Sequence, residues 1–331
     1  MGHQSPSQYQ ITFSLISNST KSVVRSLGLT PTSTEFNIDR SVSIRFQFNR
    51  QALKLLTLHA GPLDWNYGMP LIRFDRPLLA HLEHEEVDPD WRTIHLDLRG
   101  WIKHMLYILN VPKLHCIKFS TYPIQFDYQS IQTALDGLHK GLLEIFILCN
   151  QEVPSVIISN FPPMESLVFG RKPDQSVQTL LCQNFKTLIL MYDIYDQLKM
   201  KIEDLLVANC QFLFFQVQRY KPNSERIVNR FLKSWIKGSN PRLKYFHVYI
   251  SFHPARRDMY QPNVILKGTN YTVAPEEREL TLERHRPDDV EAKMVVVQGG
   301  YDIRRKKDGT TATIRINIRR FDGNVCMYVW P

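Results

Sequence analysis

The first 34 residues contain no acidic side chain, and the whole 331-residue chain has five cysteines, no two of them close in sequence. With no CxxC pair, a paired-cysteine zinc knuckle is excluded. Cys116, Cys149, Cys182, Cys210 and Cys326 read as reduced, buried thiols, four of them at or near predicted strands, as in a cytosolic or nuclear protein. Long apolar runs are also missing. No stretch approaches the ~18 residues of a membrane span, and the N-terminus lacks the apolar core of a secretion signal. The sequons Asn18-Ser19-Thr20 and Asn270-Tyr271-Thr272 therefore have no route to a glycan. Lys21 and Arg25 are too few for a mitochondrial presequence. Pro6 stands where a myristoylation motif starting at Gly2 takes Ser or Thr. GxSxG elbows, Walker loops, GxGxxG loops and HExxH helices are all absent, so no catalytic residue, cofactor site or metal site is assigned.

Hydrophobic content of 43% with 22% charged residues describes a folded chain, and 18 Phe with 14 Tyr give it heavy aromatic filling. The formal charge of +9 reads first as a plain basic surface and only second as a lean toward an acidic partner, protein or nucleic acid.

A short pattern recurs: apolar-x-x-apolar-x-apolar. It occurs at Leu53/Leu56/Leu58, Trp91/Ile94/Leu96, Leu114/Ile117/Phe119 and Leu143/Phe146/Leu148. It returns at Met164/Leu167/Phe169, Phe185/Leu188/Leu190, Phe212/Phe215/Val217 and Leu243/Phe246/Val248. Its fourth and sixth positions share one face of a short strand, and the first anchors the incoming chain. The spacing leaves room for one strand and one return segment per unit. This predicts an α/β fold built as an irregular leucine-rich-repeat-like solenoid. Such a fold presents a broad side surface, so recognition of another macromolecule is the first functional expectation.

The return segments carry helical periodicity. Ile131, Leu135 and Leu138 mark the buried side of a helix over 128–138, and Leu198, Ile202, Leu205 and Leu206 that of one near 196–208. Ile227, Val228, Phe231, Leu232, Trp235 and Ile236 form a third stripe, with Ser224 as N-cap and Gly238 as αL cap. Residues 13–27 predict one or two short helices after a loose polar leader over 1–9. Alternation at Val42, Ile44, Phe46 and Phe48 predicts a half-exposed strand paired with the Leu53 strand.

After Ile250 the character changes. Short strands are expected at 264–273 and 278–284, then a three-strand antiparallel meander: 294–305, 312–319 and 325–329. Asp308-Gly309 and Asp322-Gly323 mark its turns. The meander is expected to cap the end of the array. The expected organisation is 1–35, helical remnant and linker; 36–250, α/β array; 251–331, C-terminal antiparallel β unit.

Few residues invite chemistry. His81 and His84, at helical i, i+3 spacing, lack a third ligand, so a solvated helix end or acidic loop explains them better than a metal. Asp193 with Asp196, and Asp288 with Asp289, have nothing around them that would separate two pKa values. Phe214 lies on the strand face opposite Phe215, either exposed or covered by a neighbour. Arg304, Arg305, Lys306 and Lys307 flank a hairpin tip, and Arg319 and Arg320 come at the next turn. Together they form a candidate basic rim for phosphate or carboxylate groups. The plainer reading is a basic rim that keeps an edge soluble. Without a recognition helix or zinc finger, nucleic acid ranks as a distant partner class.

Two segments carry a family resemblance. Asn229, Phe231, Leu232, Trp235, Gly238, Asn240, Pro241 and Leu243 fit N-x-F-L-K-x-W-x-x-G-x-N-P-x-L. This resembles the core motif of the F-box-associated domain (type 2) of a large nematode family of F-box proteins. Ile202–Cys210 resembles that domain's hDLLxxN helix, and Tyr301–Arg305 with Asp308–Ile314 its terminal segment. The resemblance is strongest over about 180–250. Phe13–Leu27 resembles the latter half of the F-box itself, whereas residues 1–10 do not supply its Leu-Pro opening.

In that family the F-box docks on the Skp-type adaptor of a cullin ubiquitin ligase and the associated domain selects substrates. The resemblance therefore implies a non-enzymatic protein-interaction module in the cytoplasm or nucleus, with an unidentified protein substrate and no membrane partner. The incomplete F-box, whether a true loss or a misassigned first exon, implies weak adaptor binding. A binding protein with no ligase role is the alternative. The signature residues themselves are expected to be architectural.

Overall fold

The computed structural model describes residues 8–38, 42–48, 53–59, 74–82, 96–120, 127–138, 142–146, 165–169, 181–192, 202–217, 224–251, 262–282, 293–319 and 322–331. The chain forms two compact units, residues 1–164 and 165–331, each mixed α/β and dominated by sheet.

In the first unit the elements are α1 (Gln8–Ser14), α2 (Asn18–Ser26), β1 (Ser33–Ile38), β2 (Val42–Gln47), β3 (Leu53–His59) and β4 (Leu79–Leu82). They are followed by α3 (Leu98–Ile108), β5 (Cys116–Ser120), α4 (Tyr128–Leu135) and β6 (Leu142–Phe146). The strands run in the order β6-β5-β1-β2-β3-β4. β1, β5 and β6 are parallel, while β1 to β4 pair antiparallel. The segment 13–27 resolves into parts of two helices because Ser17 interrupts it. Its hydroxyl accepts the Thr20 N–H while Thr20 Oγ1 accepts the Ser17 N–H, a reciprocal cap. Asp97 caps α3 by accepting the Gly100 N–H at 2.7 Å, and Asp127 caps α4. Val42, Ile44, Phe46 and Phe48 are all buried, and β2 pairs with β3 as the alternation predicts.

The second unit contains β7 (Ser166–Phe169), β8 (Phe185–Tyr192), α5 (Ile202–Leu206), β9 (Cys210–Val217), α6 (Ser224–Lys237), β10 (Tyr245–Ser251) and α7 (Pro262–Ile265). β11 (Thr272–Val273), β12 (Glu277–Leu282), β13 (Lys293–Gln298), β14 (Tyr301–Arg304), β15 (Thr311–Ile318) and β16 (Asp322–Val329) complete it. The order is β7-β8-β9-β10-β16-β15-β14-β11, with β12 and β13 forming a separate two-stranded ribbon. β7 to β10 are parallel, and β10, β16, β15, β14 and β11 are antiparallel neighbours.

Both faces of this sheet are covered. On one, α6 packs against β10, with the Phe231 and Phe246 ring centroids 4.2 Å apart. On the other, Phe212, Phe214, Tyr245 and Tyr328 form a core cluster with Leu280 of β12 and Val297 of β13. Phe214 is therefore covered by a neighbour. Arg278 of β12 anchors the ribbon: Nη2 donates to Asp302 Oδ1 at 2.6 Å and to Thr313 Oγ1, and the guanidinium lies over the Trp330 ring.

Strand register corrects several sequence expectations. Leu188 faces Leu213 and Leu190 faces Phe215, while Leu213 faces Phe246 and Phe215 faces Val248. The aligned frame of β9 is therefore Cys210/Leu213/Phe215, not Phe212/Phe215/Val217. The aromatic Phe212 concealed that frame because it is buried on the opposite face. In β6, Leu143 and Ile145 pair with Ile117 and Phe119, which displaces the Leu143/Phe146/Leu148 frame. The Leu53 strand, β3, lies in an antiparallel hairpin outside any parallel array.

The C-terminal expectation also changes. The run 294–305 is not one strand, because Gly299 (φ +58°) and Gly300 (φ +112°) break it into β13 and β14. A Cβ at Gly300 would lie 2.6 Å from the Ile314 carbonyl oxygen, so only glycine fits this close approach. Asp322 and Gly323 do not open a turn. They pair with Ser251 and Ile250 inside β16. Residues 262–265 are helical, and α1 begins at Gln8, inside the expected loose leader. Leu198 lies outside the described residues.

Candidate interaction surfaces

The signature segment ties α6 to its neighbours. Val228, Phe231, Leu232 and Trp235 recur at helical spacing and are fully buried. Between them Asn229 points inward, and its amide donates to the carbonyls of Ile265 at 2.7 Å and Lys267 at 3.0 Å, satisfying the end of α7. Asn240 does the same for α5, donating to Leu205 at 3.0 Å and Ala208 at 2.8 Å. It adopts φ +48°, and Gly238 φ +113°. The αL position expected at Gly238 thus falls on Asn240, two residues later. Asn is among the few non-glycine residues that enter this region readily. Ser224 is the first residue of α6 itself. Pro241 is exposed, and its carbonyl accepts from Arg305 Nη1 at 3.4 Å. Leu243 is buried where the chain enters β10.

The basic rim divides. Arg305 is only 6% exposed and leaves the list of partner-binding candidates. Its Nε donates to Asp308 Oδ1 at 3.0 Å, its Nη2 to Thr310 Oγ1, and its plane lies over Trp235. Asp308 is held well below the usual carboxylate range, first by the Thr310 hydroxyl, then by Arg305. Arg304, Lys306 and Lys307 remain exposed at the tip, and Arg319 is exposed at the far end of β15. Eight strand residues separate tip from far end by about 25 Å. Consecutive turns of a meander lie at opposite ends of the strand they share, so these groups do not form one patch. Arg320 lies outside the described residues.

Sequence reasoning missed how the N-terminal helices are fastened. The Ser14 hydroxyl donates to the Ile11 carbonyl at 2.6 Å, leaving its oxygen to accept from His104 Nε2 of α3 at 2.8 Å. Burial, then Lys21, lowers the His104 pKa from 6.5 to about 4, so the ring is neutral. Lys21 and Arg25 lie over the Tyr107 ring, 4.8 and 4.4 Å from its centroid. Only the i, i+4 spacing of Lys21 and Arg25 hinted at a shared target. Phe13 (43%), Ile16 (70%), Val23 (53%) and Leu27 (51%) stay exposed, an apolar surface on the helix pair.

Other candidates do not converge. His81 lies on strand β4 opposite Thr57, not on a helix, and His84 lies outside the described residues. Asp193, Asp196, Asp288 and Asp289 also lie outside them, as does Cys149. Among the described residues no group of three His, Cys, Asp or Glu side chains could hold a metal, and no helix is long and apolar enough to cross a membrane. Cys116 and Cys210 are buried, with burial pushing the Cys210 thiol up to about 12, but Cys182 is exposed, contrary to expectation.

The match to a known family falls within the second unit. Residues 176–248 match the F-box associated family. That span contains α5, α6 and the two clamping asparagines. The chain is 24% identical over 204 residues to the F-box associated domain-containing protein sdz-33 of Caenorhabditis elegans. The match covers 60% of each chain, so this chain spans about three-fifths of its relative's length. No solved structure matches.

Proposed function

We propose that this member of the nematode F-box-associated family is a protein-recognition module that selects substrates within, or in a lineage derived from, a cullin ubiquitin ligase of the Skp–F-box type. The observation that carries this reading is the family match over 176–248, which contains α6 and both asparagines, Asn229 and Asn240, that tie the signature segment to α7 and α5. In this reading the signature residues Asn229, Phe231, Leu232, Trp235, Gly238, Asn240, Pro241 and Leu243 are a framework, and an unidentified protein is the ligand. The parallel runs β1-β5-β6 and β7–β10 support a leucine-rich-repeat-like origin for the two units. Action in the cytoplasm or nucleus follows from the same ligase role. The basic rim is not needed as a nucleic-acid site.

The second reading is a binding protein with no ligase role. It is favoured by α1 and α2 resting on α3 of this chain through Ser14–His104 and the Tyr107 ring. The two readings separate in a pull-down of the full 331-residue protein with a purified Skp-type adaptor. Stoichiometric capture, lost on replacing Ile16, Val23 and Leu27 by serine, supports the ligase reading. No capture at micromolar concentrations assigns the chain to the second.

A further inference from the structure

We infer that the solvent face of α6, extended by the β14–β15 hairpin tip, docks an acidic segment of the protein partner; this rests on the recognition reading above. Arg226, Arg230, Lys233 and Lys237 succeed one another at spacings of four, three and four, so they lie on one face of α6. Arg226, Arg230 and Lys237 are exposed and Lys233 half-buried. The ridge is about 16 Å long. It continues across the helix end, where the Lys306 N–H donates to the Ile236 carbonyl at 2.8 Å. There the Lys307 stem runs beside Gly238, whose Cβ position lies 3.7 Å from Lys307 Cβ and Cδ. The one acid of α6, Glu225, is turned into the core. Among the described residues, none of these six cations has an ion pair.

A charged outer face is ordinary on a surface helix, but a stabilising one alternates in sign. Here Arg226–Arg230, Arg230–Lys233 and Lys233–Lys237 are like-charge neighbours, which weaken a helix. Arg226 also sits in the first turn, where the helix dipole disfavours a cation. Packing of the buried face keeps α6 folded against this self-repulsion. The ridge therefore costs stability, and a bound carboxylate or phosphorylated segment relieves the repulsion. Nucleic acid is the less fitting polyanion, because the site is a single narrow convex ridge and the family match is to a protein-interaction domain.

The test is fluorescence anisotropy of the full chain with a labelled Asp/Glu-rich peptide, alongside a DNA duplex of equal charge. R226E/R230E/K237E is compared with K103E/K113E/R319E, which makes the same change in net charge elsewhere. The ridge variant should lose at least about tenfold in peptide affinity at low salt, with the control near wild type and all differences shrinking at high salt. The double variant R226E/R230E should weaken binding while raising the thermal midpoint, a pairing that a purely structural ridge would not give. The proposal is overturned by no peptide binding to the wild type at low salt, by equal loss in both triple variants, or by ridge-dependent preference for the duplex. The adaptor pull-down does not involve α6, so failure there strikes the ligase reading and leaves the ridge standing.

Discussion

The guanidinium of Arg305 lies over the indole of Trp235, 5.1 Å from its centroid, while its edge holds Asp308 and Thr310. One side chain thereby fastens the hairpin tip to the last turn of α6, at the point where the Lys306 N–H reaches the Ile236 carbonyl.

Replacing Arg305 by lysine should destabilise the protein by about 1–3 kcal/mol, because an ammonium cannot both stack and bond two partners in a plane. Trp235→Ala should cost more, about 3–5 kcal/mol, through the cavity it leaves. Trp235→Phe should fall well below that, since Trp235 Nε1 has no acceptor among the described residues and only part of the volume is lost. Urea unfolding midpoints check the order. A cost for R305K as small as that of an exposed lysine change would mean the stacking contributes nothing.

Asn240 combines two roles that substitution can separate. Asn240→Gly keeps the positive φ and removes the amide, leaving the Leu205 and Ala208 carbonyls short of a donor, at about 1–3 kcal/mol. Asn240→Ala adds the cost of placing alanine in the left-handed region, about 1–2 kcal/mol more. The expected ranking of chemical-denaturation stability is Asn above Gly above Ala. If Ala matched Gly, backbone conformation would have no part.

His104 sets a pH dependence on the N-terminal helix pair. Its folded pKa, about 4, lies below the unfolded value of 6.5, so the unfolded state takes up the proton first. The stabilisation is complete above pH 6.5 and is lost as the pH falls from about 6.5 through 4, reaching about 3 kcal/mol. His104→Gln retains a donor to Ser14 and should flatten the curve in that window. Imidazole titration by NMR checks the origin. A His104 midpoint near 6.5 in the folded protein would remove it.

The helix α6 was legible from residues 224–238 alone, because six apolar side chains at 3.6-residue spacing have one solution and Gly238 ends it. The recurring apolar frame located strands of the parallel runs but also marked β3, which is antiparallel, and misframed β6 and β9. The family resemblance was legible from the signature, which falls within 176–248. The frame of β9 was not legible. Cys210, Phe212, Leu213, Phe214 and Phe215 are all buried, and a strand covered on both faces loses the alternation that marks its inner side. Only pairing with Leu188 and Phe246 chose between the frames.

What the sequence by itself determined was therefore local: helical periodicity and a motif whose spacing is its own signal. What only the tertiary structure decided was which distant groups meet. The charges of Arg304–Lys307 and Arg319 looked like neighbours along the chain, but strand β15 holds them about 25 Å apart. Arg305 turned inward onto a tryptophan of another element. Meanwhile Lys306 and Lys307 came to rest beside the basic face of α6. Charge carries no address in sequence, because its reach is set by distance in space, and that distance exists only once the strands have paired.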